Sequence, residues 1–325
     1  MHPLFIGGCE RSGTTLLGAM LGSHREYLCV PEMQFKFDIC RLAAADHEDA
    51  VDASALLRAV GQRSSFRIWE LGLDEPMLPQ QPMTCRELME WLVQLYGKKV
   101  NKPTPRFWVD HTPKNIRYAR TLFQCFPDAK MLHIVRDGRA VEASVLPLDW
   151  GPNTIENAAR FWAECLAYGF AAEIRWPRQV IRVRYEDLVR DPHHTLQSVC
   201  TALAIPFDPI MSEVRGFQVP PYTANQHSLT GHRPNPTRVN SWERNLSSRQ
   251  IEIFESLTTD LLTILGYEPR FGLAAQKATR REILTADIQE LYKKSFSNRR
   301  RKRQRKIAAI PRAATLVPLG SSHNQ

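Results

Sequence analysis

The chain of 325 residues is 43% hydrophobic with a formal charge of +9, enough apolar content to bury a sizeable core, so a globular protein is the default. It has no run of eighteen apolar residues, and its N-terminus lacks the basic segment, apolar run and cleavage site of an export signal, so the expectation is a soluble, cytoplasmic protein. Seven cysteines stand singly, without a Cys-x-x-Cys pair or histidines at metal-ligand spacing, which suits a reducing compartment and gives no metal site to expect.

In chain order, Leu4 to Gly8 reads as a short buried strand, followed by a glycine-containing turn. Thr14 to Met20 reads as a helix with Leu16, Leu17, Met20 and Leu21 on one face, after which a strand should return towards the same edge. Another helix is expected at about 85–96. "MLHIVRDGRAVEASVL" repeats the opening plan: a strand over Met131–Val135, a turn at Asp137-Gly138 and a helix from Ala140. Phe161, Trp162, Leu166 and Phe170 lie at helical spacing within 154–172 and read as core packing, not a cofactor-binding set. "QVIRVRYEDL" supplies a third strand, with a helix through "HTLQSVCTAL". Segment 217–240, rich in proline and poor in apolar residues, reads as a long surface loop before a helix from Ser248 to Leu265, which Gly266 stops.

Strands alternating with helices predict an α/β, P-loop-like three-layer fold: a central parallel sheet, helices on both faces, and ligands at the carboxyl ends of the strands. The charge is not spread evenly. Residues 271–325 hold 13 Lys/Arg against 3 Asp/Glu, leaving residues 1–270 at −1. The expected division is therefore a domain at 1–270 and a basic, partly disordered extension at 271–325. Within it, "RRRKRQRK" at 299–306 repels itself too strongly to pack, and either stays solvated or meets an anionic partner, membrane or nucleic acid.

The chemistry is carried by "GCERSGTTL". Gly8 and Gly13 enclose four residues, as P-loop glycines do, yet Thr14 and Thr15 stand where a nucleotidase has lysine and Ser/Thr. Backbone N–H groups of such a turn at a helix N-terminus attract anions whether or not the lysine is present. Arg11 can supply the missing charge, with a planar fork suited to two oxygens of one anion. The strand "MLHIV" runs directly into Arg136 without the aspartate that holds magnesium in a nucleotidase, which disfavours metal-assisted ATP hydrolysis.

This combination resembles the sulfotransferases that use 3′-phosphoadenosine-5′-phosphosulfate (PAPS), and the version with arginine is most similar to bacterial members and to tyrosylprotein sulfotransferases. The resemblance covers roughly residues 4–267. It implies that Arg11, Ser12, Gly13, Thr14 and Thr15 bind the donor's 5′-phosphosulfate. Arg136 and Ser144 in "RDGRAVEAS" match in type and spacing the pair that binds the 3′-phosphate, which separates this donor from ATP. Two phosphate sites an adenosine's length apart would account for the lost lysine. Tyr185 in "RYEDLVRDP" would lie near the adenine, and Arg238, beside "VNSWERNLS", would approach the 3′-phosphate.

The implied reaction is transfer of a sulfuryl group to an acceptor hydroxyl of a carbohydrate, glycolipid, peptide tyrosine or small metabolite, by in-line attack, without a metal and with a general base. Glu32 follows Arg11 by the interval at which tyrosylprotein sulfotransferases carry their catalytic glutamate. His111 in "VDHTPKN" is the rival base, since cytosolic members use a histidine between the two phosphate motifs. Many bacterial members have a lysine there that neutralises the leaving phosphate, a part Lys114 could take. The alternatives are a P-loop-type nucleotide kinase or ATPase, and an anion- or nucleic-acid-binding protein acting through its basic tail.

Overall fold

The computed structural model describes residues 1–45, 50–217 and 234–300. Strand β1 (His2–Gly8) is buried from Pro3 onward, as a strand covered on both faces must be. The turn after it delivers the chain into helix α1 (Thr14–Gly22), and β2 (Tyr27–Val30) returns beside the same edge. A helical stretch follows: α2 (Lys36–Ala45), α3 (Ala53–Gly61), α4 (Ser64–Arg67) and α5 (Cys85–Lys99). Thr84 and Glu87 form a reciprocal capping box that fixes where α5 begins. Next come β3 (Phe107–Asp110), α6 (Ala119–Cys125), β4 (Lys130–Val135), α7 (Gly138–Val145), α8 (Ile155–Arg175) and β5 (Val180–Arg184). Helices α9 (Tyr185–Arg190), α10 (Pro192–Leu203), α11 (Trp242–Asn245), α12 (Ser248–Ile264) and α13 (Arg280–Tyr292) complete the described chain.

Among the described residues the four pairings within the sheet are parallel, and the sheet order is β2-β3-β1-β4-β5. Side-chain alternation sends Phe5, Trp108 and Met131 into one core layer and Leu4, Ile6, Val109, Leu132 and Ile134 into the other. The chain leaves β1 towards β2 on one side and leaves β4 towards β5 on the other. Such a reversal opens a crevice outside the carboxyl ends of the two central strands. Gly8 and Ile134 are register partners there, so the loops after β1 and β4 rise side by side.

The strands expected near the N-terminus, at Met131–Val135 and in "QVIRVRYEDL" are β1, β4 and β5, and the returning strand is β2. Strand β3 has no counterpart among the expected elements; four residues, all buried, give too short an alternation to read. The turn expected at Asp137-Gly138 is tighter than a loop, since Asp137 caps α7 through Arg139 N and Gly138 is already helical.

The first part of the basic extension is helical. A Thr279–Glu282 capping box starts α13, Asn157 Nδ2 donates to Glu290 Oε2 at 2.6 Å, and Asn298 Nδ2 donates to Asn153 Oδ1 at 2.9 Å. Six of the eight residues at 299–306, and 218–233 of the expected surface loop, lie outside the described residues. Among the described residues no helix is long and apolar enough to cross a membrane.

Candidate active site

The turn between β1 and α1 needs left-handed backbone. Gly13 has φ +99°, and a Cβ there would meet the Tyr185 ring at 2.6 Å, so only glycine fits. Arg11 sits at φ +71° without being glycine, a conformation that must be held from outside. The hold comes from the residue just past β4: Arg136 Nη1 donates to the Arg11 carbonyl at 2.8 Å. Arg136 is fixed in turn, its guanidinium 4.3 Å from the Tyr185 ring centroid and its carbonyl accepting from Trp162 Nε1 at 3.1 Å. The Arg11 side chain reaches across the crevice, and its Nε donates to Ser144 Oγ at 3.0 Å.

The structure thus brings Arg11, Arg136, Ser144 and Tyr185 into one constellation, with Arg11 bonded directly to the other motif instead of standing an adenosine's length away. The loop gives the reason: its left-handed Arg11 turns the backbone carbonyl towards Arg136. Burial, and then the neighbouring Arg136 charge, lower the Arg11 pKa. Two like charges drawn together in a half-buried crevice favour an anion between them. Ser12 Oγ and Arg136 Nε are buried without a hydrogen-bond partner among the described residues, and Thr14 and Thr15 are buried at the first turn of α1. Unpaired donors beside a helix N-terminus are what a phosphate-bearing donor requires.

On the other side of β1, Glu32 lies just past β2. It is half-buried, accepts from Gln34 Nε2 at 2.7 Å, and burial pushes its carboxyl up to about 7. Its charge is close enough to Arg11 to act on the guanidinium. The segment carrying it is tied down from below. Met33 N donates to Thr112 Oγ1 at 3.0 Å, and Thr112 Oγ1 and N donate to Asp110 Oδ1 at 2.6 and 3.0 Å. Lys36 Nζ lies 2.7 Å from Asp110 Oδ2, with both side chains fully buried, and also donates to the Met33 carbonyl at 3.2 Å. Burial lowers the Lys36 ammonium and opposes Asp110 ionisation, but Lys36 and Thr112 outweigh this and hold Asp110 below the usual carboxylate range. The donors converging on Asp110 favour the charged pair.

His111 points to the opposite face of the sheet from Asp110. It is 2% exposed, stacks edge-on against Phe217 at 4.8 Å between ring centroids, and packs against Gly18 of α1. Burial pushes its imidazole down to about 4. Lys114 is exposed in the short helical turn Pro113–Tyr118 and lies near enough to lower the otherwise burial-raised Glu10 pKa. Arg238 falls at the end of a short helical turn, with its side chain outside the described residues.

Sequence reasoning missed the residues behind these. Asn115 Nδ2 bonds the Ile6 and Asp110 carbonyls at 3.0 Å each, clamping β1 to β3. Arg139 is gripped by Asp137 and Glu255, at 2.8 and 2.7 Å, under the start of α7. Glu186 accepts from Asp137 N at 3.0 Å and Tyr267 Oη at 2.8 Å. Asp137 immediately before a helix was a readable cap signal. Lys36 and Asp110 meet across distant segments and give no local signal.

Residues 3–209 match the model described as "Sulfotransferase family". A protein-tyrosine sulfotransferase of Drosophila melanogaster is 23% identical over 283 residues, 83% of this chain and 52% of that protein. The chain thus spans about half the length of the curated relatives it matches. Two solved structures share the fold: the sulfotransferase domain from the curacin biosynthetic pathway (TM-score 0.56, 19% identity, covering 82% of this chain and 98% of that one) and that from the Synechococcus PCC 7002 olefin synthase (0.56, 18%, 82% and 94%). With its parallel sheet, its lysine-free anion loop and a family match extending over well more than half its length, the chain belongs to the sulfotransferase family.

Proposed function

We propose that this chain is a PAPS-dependent sulfotransferase acting on an acceptor hydroxyl. The observation that carries the reading is the interlock of Arg11, Arg136 and Ser144 over a glycine turn, with unpaired donors beside it and a half-buried Glu32 across the crevice. When bound, the donor would supply an activated sulfuryl group on a phosphate leaving group. Arg11, Ser12, Thr14, Thr15 and the amides of the Gly13 turn would hold its 5′ end and offset charge that develops during transfer. Arg136 and Ser144 would take the 3′-phosphate, so that Ser144 exchanges its bond with Arg11 for one with the ligand. Tyr185, already under Arg136, is a flat surface for the purine.

Glu32 is the base this reading selects. A carboxyl that titrates at about 7 is half ionised at neutral pH and can accept the acceptor's proton, whereas His111 is enclosed by Phe217 and α1. Asp110, Thr112 and Lys36 position the Glu32 segment without touching the reacting groups. A phenol is the first acceptor class to try, because relatives named protein-tyrosine sulfotransferases lie among the similar proteins.

The test is calorimetric titration with adenosine 3′,5′-bisphosphate, adenosine 5′-monophosphate and magnesium-ATP, followed by transfer of labelled sulfate from PAPS to a tyrosine-containing peptide. Selective binding of the bisphosphate is expected. Preference for magnesium-ATP would overturn the reading.

A further inference from the structure

Far apart in sequence, three of the seven cysteines meet in space. Cys40 lies on α2, Cys85 is the first residue of α5 and Cys125 the last of α6. Their three sulfur atoms lie within 4.8 Å of one another, and Cys40 Sγ is 3.8 Å from Cys125 Sγ. We propose that Cys40, Cys85 and Cys125 form a binding site for a soft, thiophilic cation such as Zn²⁺ or Cu⁺.

Spacing is the first argument. Thiolates around one zinc at about 2.3 Å stand about 3.8–4.0 Å apart, so little movement would close this shell on a cation. A disulfide, at about 2.05 Å, would need one pair to approach much further and would leave the third sulfur idle. Donor chemistry is the second, since an all-sulfur set selects soft cations over magnesium or calcium. No histidine or carboxylate joins the three among the described residues. Surroundings are the third. Cys40 is buried against the apolar core while Cys85 and Cys125 are half-buried, so the site is closed inward and open outward, where water can complete a fourth position.

Binding is balanced by protons: each thiol that becomes a ligand releases one to solvent, and no oxidant or reductant is involved. The cation would staple α2, α5 and α6 together. Helix α2 begins at Lys36, so ligation of Cys40 steadies the helix whose first residue grips Asp110.

The full-length, tag-free chain, reduced and stripped with chelator under anaerobic conditions, should be titrated with Zn²⁺ and, separately, Cu⁺ against a competing chromogenic chelator. One equivalent per chain is expected, weakened at least about 100-fold in Cys85→Ser and in Cys125→Ser. It should be unchanged in Cys165→Ser, which alters a different cysteine cluster behind the donor loop. The tighter of the two cations identifies the occupant. Should the variants fold poorly, the thiolate charge-transfer intensity of the wild-type chain with Cd²⁺ counts the ligands directly, with three expected. Failure of both cations to reach one equivalent, undiminished binding in both variants, or a count below three would overturn the site.

Discussion

The two sides of the crevice are built differently. The donor side, around β1 and β4, is held by short contiguous motifs and backbone geometry: a left-handed turn, a helix N-terminus and two arginines a few residues from strand ends. The opposite side, around β2 and β3, places Glu32 by means of a buried ion pair whose members come from distant segments. On the proposed reading, anion recognition is encoded locally, whereas the placement of Glu32 depends on what lies beneath it.

The largest effect should come from Glu32, the proposed base. Glu32→Gln is expected to lower turnover by about 10²–10⁴-fold with donor affinity kept. The wild-type rate should fall on the acid side of about pH 7, where Glu32 gains its proton, and this limb should vanish in the variant. A fully active Glu32→Gln would erase the contrast between the two sides. Next, Lys36→Met should cost about 3–5 kcal/mol of stability by leaving Asp110 buried without its partner, measured by denaturant unfolding. Lys36→Met combined with Asp110→Asn should recover much of that loss; simple additivity would mean that the pair is not coupled.

A smaller change is expected on the donor side. Arg136→Ala should weaken binding of adenosine 3′,5′-bisphosphate roughly 10- to 100-fold with little loss of fold stability, because it removes charge-assisted bonds at a half-buried site. The smallest effect concerns pH and stability, because Glu32 is only half-buried and solvent screens much of the gain. In the folded chain Glu32 holds its proton to about 7, whereas an unfolded glutamate releases it at about 4.3. Between these values the folded state binds more protons, so this group's contribution is complete at low pH and is lost as pH rises through the folded pKa. Glu32→Gln should therefore melt slightly higher than wild type at about pH 8 and show no such gain at about pH 4. Thermal melts at the two pH values would check the sign.

The same contrast decides what the sequence made legible. β1, β4, β5 and α1 followed from apolar runs and glycine turns, and Arg11, Arg136, Ser144 and Tyr185 came together as a constellation. The direct bond from Arg11 to Ser144 was not legible, because it depends on the handedness of one loop residue. Nor was the packing of His111: residues 110 and 111 are both polar, and only the sheet shows that one faces Lys36 and the other Phe217. Single cysteines carry no spacing signal at all, and it takes three helices to assemble them.

One buried carboxylate also has a practical bearing on how the protein can be shortened. Glu255, fully buried in α12, accepts from the backbone N–H groups of Arg270, Phe271 and Gly272 while gripping Arg139. A chain cut immediately after Arg270 would remove two of those three amides and leave a hidden negative charge half-dressed beneath α7. The smallest fragment worth expressing therefore ends past Ala274, where this hydrogen-bonded hook is already closed.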